Sequence, residues 1–298
     1  CILQLLERFN IRYTRISQAD LRKNPLRDTG WGVSSTAISV AILSIFAVIF
    51  VVPLVQNWPY QTQFTLAHVQ AVFADSELQT VYLHSLGMAL CTAFFGTLLA
   101  YGAALITARS TLPKWRKQSV DSIALVTNTI PGMVLGLAFL FTFTGTPLQN
   151  TFPLMILCNI VHYFSTPYLM MKNSLSKMNA GWETTAMLMG DSWPKTILRV
   201  VTPNAASSLI EVFSYYFINA MVTISALIFL AGARTMVLTT KIKQLQYVNE
   251  YNEVFVLSLL ILFTNLLAKA IFTWLANRSA QTGKRNNKKR KETKPSCI

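Results

Sequence analysis

The sequence predicts an all-α, polytopic membrane protein, a class that follows from composition, the length of the apolar runs and the placement of charge. Of the 298 residues, 52% are hydrophobic and only 13% are charged. A segment that crosses lipid must satisfy its own backbone hydrogen bonds, which a helix does. The high hydrophobic fraction and the low charged fraction exclude an ordinary soluble domain. Four long segments contain no Asp, Glu, Lys or Arg: residues 29–74, 78–108, 122–171 and 212–233.

Six membrane-spanning helices are predicted from these segments. A helix needs about 20 apolar residues to cross a bilayer, so the segment 122–171 must contain two spans. The first span is too long and too far from residue 1 to be a cleaved signal peptide. Gly87, Gly96 and Gly102 in the second span are small enough to let neighbouring helices approach closely. The predicted spans cover residues 33–55, 81–108, 122–143, 152–171, 209–230 and 254–276.

Positive charge determines the predicted orientation. Lys and Arg number 6 in residues 1–30, four between the second and third spans, four in the central loop and eight after Ala276, whereas the alternate connections carry none, none and three. Because Lys and Arg are enriched in cytoplasmic loops, both termini and the central loop are predicted to be cytoplasmic. The predicted organisation is an N-terminal cytoplasmic segment or linker (1–30), a six-span domain (31–276) with its central loop at 172–205, and a basic, disordered tail (277–298).

The basic tail and the cysteines leave two alternatives open. The tail could bind nucleic acid, but contact with anionic lipid is the favoured interpretation of this topology, so membrane lipid is the expected partner. The four cysteines have no metal-ligand spacing and no extracytoplasmic pair that could form a disulfide. Cys1 could carry a lipid. Alternatively, the chain is a segment of a longer protein, and the residues before Trp31 are a linker from an upstream half.

The central loop contains a polar segment, residues 182–203, that we call the knob. Its sequence predicts two short helices around a break. Gly190 suits the left-handed position that ends the first helix, and Asp191 or Ser192 can cap the second. Pro203 lacks a backbone donor and is predicted to end or kink the second helix. A compact helix-turn-helix between two membrane spans is suited to docking on a partner.

The knob resembles the coupling loop of permease subunits of binding-protein-dependent ABC importers. That pattern is Glu-Ala-Ala, three residues, Gly, nine residues, Ile, one residue and Leu-Pro. This chain keeps the spacing, with Thr184-Thr185-Ala186, Gly190, Val200 and Thr202-Pro203. Thr184 replaces the acid of the pattern, and Glu183 lies one position earlier. The expected ATPase-coupling residues are Trp182, Glu183, Thr184, Thr185, Ala186, Met187, Leu188, Gly190 and Pro203, with Trp182, Met187 and Leu188 forming the apolar face.

The resemblance implies a type I importer permease fold, similar to the maltose and methionine permeases, in a bacterial inner membrane. It implies three protein partners: an ABC ATPase dimer, an extracytoplasmic solute-binding protein and a second permease half. The second half would be an identical copy, a related subunit or a fused upstream half. ATP and Mg would be bound by the ATPase. Residues 131–137 and 219–230 also resemble permeases for iron(III) and 2-aminoethylphosphonate, which suggests one of these solutes.

Polar residues inside the spans are candidates for the solute path. Asn128 and Thr129 lie beside Pro131, where a helix break could either line a path or form a packed kink. Lys269 is the only basic residue in the sixth span and lies about 10 Å from its cytoplasmic end at helical rise. It is interpreted as a snorkelling anchor, with an ion site as the alternative. The remaining path candidates lie in the fifth span: Asn219, Thr223 and Ser225.

Several chemistries have no support in the sequence. No Gly-rich loop ends in Gly-Lys-Ser or Gly-Lys-Thr, so the chain itself is not expected to bind ATP. No catalytic set and no metal cluster is recognisable, so no enzyme and no metal site is predicted. The alternative functions are an ion-coupled secondary transporter, which would normally need intramembrane acids, and a membrane-embedded scaffold.

Overall fold

The computed structural model describes residues 24–58 and 60–292, which divide into two units at the boundary between Val48 and Ile49. The described residues form α-helices and one small antiparallel hairpin. In chain order, the elements are α1 Pro25–Val51, β1 Val55–Asn57, β2 Gln61–Phe64, α2 Ala67–Ala74, α3 Ser76–Arg109, α4 Lys114–Val126, α5 Gly132–Phe143, α6 Phe152–His162, α7 Ser165–Ser176, α8 Gly181–Leu188, α9 Trp193–Thr196, α10 Thr202–Val222, α11 Leu238–Tyr247 and α12 Tyr251–Glu292.

Four unbroken helical segments within the described range are long and apolar enough to cross a membrane, and two bent pairs raise the number to six. This architecture confirms the all-α, polytopic class. The unbroken segments are Pro25–Leu54, Ser76–Arg109, Trp193–Val222 and Tyr251–Ser279. The bent pairs are Lys114–Thr129 with Gly132–Phe143, at 107°, and Phe152–His162 with Ser165–Ser176, at 58°.

Helix α3 has clear start and stop signals. The Asp75 side chain caps it by accepting hydrogen bonds from the backbone N–H groups of Glu77, at 2.7 Å, and Leu78, at 3.3 Å. A capping carboxylate satisfies donors that have no partner within the helix. The helix ends at Arg109 because Ser110 adopts an extended conformation. The predicted second span therefore exists, with about one additional turn at its N-terminal end.

The third span, predicted over residues 122–143 with a helix break at Pro131, is bent at that proline. Ile130 precedes Pro131 and is extended, with ψ 120°, as the steric clash with a following proline ring favours. Pro131 is itself extended, and α5 begins only at Gly132. The first helix of the pair also begins earlier than predicted, at Lys114. Proline therefore converts a straight span into two helices that meet at 107°.

The fifth span ends at Val222, eight residues before the predicted end at Leu230. Thr223 is extended, and residues 223–237 follow as turns with a short 3-10 helix at Leu227–Phe229. Four side chains of this segment are buried in one cluster with residues of α5 and α6: Ala226, Leu227, Leu230 and Val237. The predicted fifth span is therefore helical only as far as Val222, and the apolar residues that follow are buried in turns.

Elements near both ends of the domain differ from the prediction as well. A β-hairpin pairs Val55 with Phe64, and α11 lies in the connection before the last span, where no element was predicted. Helix α12 continues past Ala276 to Glu292, so residues 277–292 of the predicted disordered tail are helical. Residues 1–23 of the predicted N-terminal segment, with Cys1, and the end of the tail, with Cys297, lie outside the described residues.

The main core surrounds α3, which packs against α7 and α10. Small residues on α3 make room for large buried side chains, including Tyr168, Met171 and Tyr216. At Gly96 an added Cβ atom would lie 2.8 Å from Cζ of the fully buried Tyr216 ring. Within this chain, nothing lies within 4 Å of the corresponding positions at Gly87 and Gly102. The predicted close approach is therefore confirmed for Gly96 alone among these three glycines.

Replacing Gly96 with Ala is expected to lower the free energy of unfolding by about 1–3 kcal/mol, because the new methyl group overpacks against the Tyr216 ring. Gly102→Ala is the matched control, since it makes the same change in the same helix with open space around it. The thermal unfolding midpoints of the two purified variants in detergent test this. Equal midpoints, or a higher midpoint for Gly96→Ala, would contradict the contact.

Candidate coupling site and solute path

The first helix of the knob ends in the left-handed turn that the sequence predicted. Gly190 has φ +79°. Its N–H donates to the Met187 carbonyl at 3.0 Å, and the Asp191 N–H donates to the Ala186 carbonyl at 2.9 Å. This pair of bonds is the Schellman motif, which satisfies the last carbonyls of a helix and favours glycine at the left-handed position. Gly190 therefore sets the direction in which the chain leaves α8.

The second helix of the knob begins at Trp193, after Ser192 in an extended conformation. Ser192 thus occupies the cap position, but its side chain makes no capping hydrogen bond. The Asp191 carboxylate instead pairs with Lys195, one turn later. Of the two residues predicted to cap this helix, Ser192 occupies the N-cap position. Neither Ser192 nor Asp191 makes a side-chain capping hydrogen bond.

Pro203 neither ends nor sharply kinks the second helix, contrary to the prediction. The chain from Trp193 to Val222 forms a single 30-residue span. A π-helical turn at Ile197–Val201 precedes Pro203, which lies in the first turn of α10. The widened turn accommodates a residue that lacks a backbone donor. The knob therefore continues directly into a membrane span without a flexible joint.

Glu183 is held inside the protein by a bidentate ion pair with Arg109. The guanidinium Nε lies 2.6 Å from Oε1 and Nη2 lies 2.6 Å from Oε2. The side chains are 4% exposed for Arg109 and 16% exposed for Glu183. Arg109 also donates to the carbonyls of Met178, at 3.1 Å, and Asn179, at 2.9 Å. One side chain at the end of α3 thus fixes both the loop before α8 and α8 itself.

A second polar cluster fixes the start of the central loop. Lys172 Nζ lies 2.5 Å from Asp121 Oδ1, which also accepts a hydrogen bond from the Tyr168 hydroxyl. The same hydroxyl lies 3.0 Å from Thr107 Oγ1. These contacts connect α3, α4 and α7 at the point where α7 leads into the loop. Together with Arg109 and Glu183, they attach the loop to several spans.

The exposed surface of the knob is apolar at its tip. Met187, Leu188 and Met189 are 69%, 84% and 79% exposed. Trp182, which was predicted to share this surface, is partly buried and packs against the main core. The predicted coupling set is therefore divided. Met187 and Leu188 point outward with Thr184, Thr185 and Gly190; Trp182 and Glu183 point inward; Ala186 is partly buried; and Pro203 is exposed at the exit of the knob.

The predicted path residues fall into three groups. Asn128 and Thr129 are exposed in the 3-10 turn at the 107° bend. Thr223 is buried at the end of α10, with its hydroxyl 2.6 Å from the Tyr163 hydroxyl at the bend between α6 and α7. Ser225 lies close to Gly132, at the start of α5. Breaks in three spans therefore come together near residues 223–225, whereas Asn219 lies in a separate groove with Glu211 and Lys269.

Sequence reasoning missed the contacts by which Arg109 and Asp121 hold the central loop. Arg109 was counted only as a cytoplasmic charge, and Asp121 only marked the end of an uncharged run. A basic residue at the last turn of a long span was a usable signal, because it must find a partner once the loop folds over it. Its partner lies 74 residues away, a pairing that one sequence does not disclose.

Replacing Glu183 with Ala is expected to lower the free energy of unfolding by about 3 kcal/mol, because it leaves the buried Arg109 guanidinium without its carboxylate. Asp191→Ala is the matched control, since it removes a carboxylate of the same knob from a pair whose side chains are 37–44% exposed. Exposed pairs contribute about 1 kcal/mol or less. Unfolding followed by tryptophan fluorescence tests this, and a similar loss in both variants would overturn the assigned role of the pair.

Comparison with known proteins agrees with this geometry. A family described as "Binding-protein-dependent transport system inner membrane component" matches residues 96–281. A putative ferric transport system permease protein, FbpB 1, of Haemophilus influenzae is 26% identical over 206 residues, which cover 65% of this chain and 31% of that protein. The chain thus spans about a third of the length of this curated relative.

Two solved structures share the fold at low identity. A bacterial alginate ABC transporter, in complex with an alginate-bound periplasmic protein, has a chain that aligns with a TM-score of 0.67 and 12% identity, over 85% of this chain and 96% of that one. A chain of the inward-facing MetNI methionine ABC transporter aligns with a TM-score of 0.55 and 17% identity, over 69% of this chain and 99% of that one. The family match covers well over half of the sequence, and the chain therefore belongs to the binding-protein-dependent transport system inner membrane components.

Proposed function

We propose that this subunit moves a small solute through the membrane when its knob is driven by a separate ATPase that binds ATP and Mg. The observation that carries the proposal is the exposed tip of Met187, Leu188 and Met189 on a firmly held loop. Contiguous exposed apolar side chains mark a site of protein contact. Methionine is well suited to such a contact because its unbranched side chain adapts to the shape of a partner.

Transmission from the knob to the spans requires stiff connections, and the described contacts supply them. The Arg109–Glu183 pair ties α8 to the end of α3. The π-helical turn joins the knob to α10 without an intervening loop. Movement of the tip by an ATPase would therefore be passed to α3 and α10 together. These helices pack on each other through the main core.

The sidedness follows from charge. We place the central loop and both termini in the cytoplasm, where the ATPase dimer acts, because Lys and Arg are concentrated in these segments. A solute-binding protein would deliver the solute at the opposite face, and the periplasmic partner of the alginate transporter supports this arrangement. A second permease half completes the route, as an identical copy, a related subunit or a fused half.

Two solutes are the candidates. The name of the Haemophilus influenzae relative supports iron(III). The resemblance of residues 131–137 and 219–230 extends to permeases for 2-aminoethylphosphonate as well. Both solutes are small and charged, and either would need a polar route across the membrane.

Purification of the chain from native membranes in mild detergent, followed by mass spectrometry and an ATPase assay, tests the proposed coupling. We expect a stoichiometric ABC ATPase, and we expect it to be lost when Met187 and Leu188 are both replaced by Ser. Ser192→Ala is the control, because it changes an exposed residue of the knob outside the tip. If no ATPase is recovered, and if an uncoupler alone abolishes solute uptake, the ion-coupled transporter replaces this proposal.

Gly190→Asp is expected to uncouple transport while the protein remains at normal levels in the membrane. A side chain in the left-handed turn costs about 1 kcal/mol locally, and the turn sets the direction of the tip. Gly190→Asn should retain more uptake, since asparagine tolerates this conformation better than other non-glycine residues. Uptake of radiolabelled iron(III) and 2-aminoethylphosphonate measures both variants, and wild-type uptake by Gly190→Asp would refute the role of the turn.

A further inference from the structure

A groove of about 320 Å³ lies between α10 and α12, with one side chain from α7 at its edge. This volume is at the small end of the range found for ligand sites. Phe272 contributes to one wall and packs edge-on against Phe213 and Phe217, with ring centroids 5.3 and 5.8 Å apart, which fixes α12 against α10. The groove is lined by Met170, Glu211, Ser214, Tyr215, Ile218, Asn219, Lys269, Phe272 and Thr273.

The groove contains one acid and one base that are not paired. Within residues 24–58 and 60–292, the exposed side chains of Glu211 and Lys269 take part in no ion pair and no side-chain hydrogen bond. Both lie in helices that cross the membrane. An ionised side chain at such a position must face water, a partner or a ligand, because lipid does not solvate it.

The other faces of α12 show that the charge is directed to the groove. Leu267, Ile271 and Trp274, on the opposite side of α12 from Lys269, are exposed and apolar, as expected for a surface in contact with lipid. Lys269 and Thr273 are four residues apart and share the face that lines the groove. This placement differs from that of a lysine that merely anchors a helix end in the interface.

Uncharged polar groups lie along α10 in the same groove. Ser214, Tyr215 and Asn219 follow Glu211 at helical spacing and line the groove with it. The Asn219 Nδ2 group donates to the Tyr215 carbonyl at 2.8 Å, which leaves the Asn219 Oδ1 atom available as an acceptor. The site therefore offers a cation, an anion and neutral hydrogen-bonding groups within one small volume.

We propose that this groove is a binding site on the solute path and that it takes a small zwitterion, with an ammonium group near Glu211 and an anionic group near Lys269. The inference rests on the proposed transport function and narrows its solute. A simple anion would leave Glu211 unsatisfied. A bare trivalent cation would be repelled by Lys269, and the described residues contain no group of three His, Cys, Asp or Glu side chains that could hold a metal ion.

The test uses the complete complex with its ATPase in lipid nanodiscs and radiolabelled 2-aminoethylphosphonate as the probe. Ethylphosphonate carries only the anionic group and ethylamine only the cationic group. We expect each to compete at least about tenfold more weakly than unlabelled 2-aminoethylphosphonate, because each leaves one charge of the groove without its ionic partner. Iron(III) citrate is expected not to compete.

Variants assign the binding to the groove. Lys269→Gln and Glu211→Gln are each expected to weaken probe binding about tenfold, and the exchange Glu211→Lys with Lys269→Glu should recover part of the loss. Lys243→Gln is the matched control, because it removes the same charge from an exposed position in α11, outside the groove. Binding that is unchanged in both single variants would overturn the inference.

Two further outcomes would also overturn it. Equal competition by ethylphosphonate or by iron(III) citrate would exclude a zwitterion site. Loss of the second permease half from the single variants, measured by size-exclusion chromatography, would make the groove an interface between halves. In every case, an ATPase that still co-purifies and hydrolyses ATP shows that the proposed function stands. Absence of the ATPase from the wild-type complex shows instead that the proposed function itself has failed.

Discussion

The architecture depends on one constraint, which is that lipid cannot satisfy backbone N–H and C=O groups. Long helices meet this constraint by themselves, and where a span is interrupted, buried side chains take over. The Ser85 hydroxyl accepts from the Leu238 N–H at 2.6 Å, and Thr239 Oγ1 donates to the Thr223 carbonyl at 2.8 Å. Side chains of α3 and α11 thus supply hydrogen bonds to the start of α11 and to the first residue of the irregular segment 223–237.

Buried side-chain contacts also hold the central loop in place. A docking element is useful only if force applied to it reaches the spans, and flexible connections would dissipate that force. This chain uses charge for rigidity, because a guanidinium makes two parallel bonds to a carboxylate and fixes orientation as well as distance. Arg109 binds Glu183 and two neighbouring carbonyl groups, so that one buried residue organises the base of the knob. The apolar tip is left free for the ATPase that we propose.

The charged side chains in the groove between α10 and α12 are unpaired, unlike those that hold the central loop. Arg109 and Glu183 satisfy each other and are structural, whereas Glu211 and Lys269 share a cavity without pairing. Charged groups that are paired within the chain already interact with an opposite charge and gain little from a solute. Unpaired charges in a membrane span gain more, because a solute group of opposite sign supplies the interaction that lipid cannot.

The sequence by itself determined the class, the approximate spans, the polar central loop and the left-handed turn at Gly190, since these depend on local apolar length, charge and backbone preference. The tertiary structure decided how sharply the third span bends, that the fourth span bends, that the fifth ends at Val222, that Trp182 and Glu183 face inward, and that Glu211 and Lys269 line one groove. Those features depend on contacts between residues far apart in the chain, such as Arg109 and Glu183. Such pairings follow from the packing of helices in three dimensions, which no local pattern specifies.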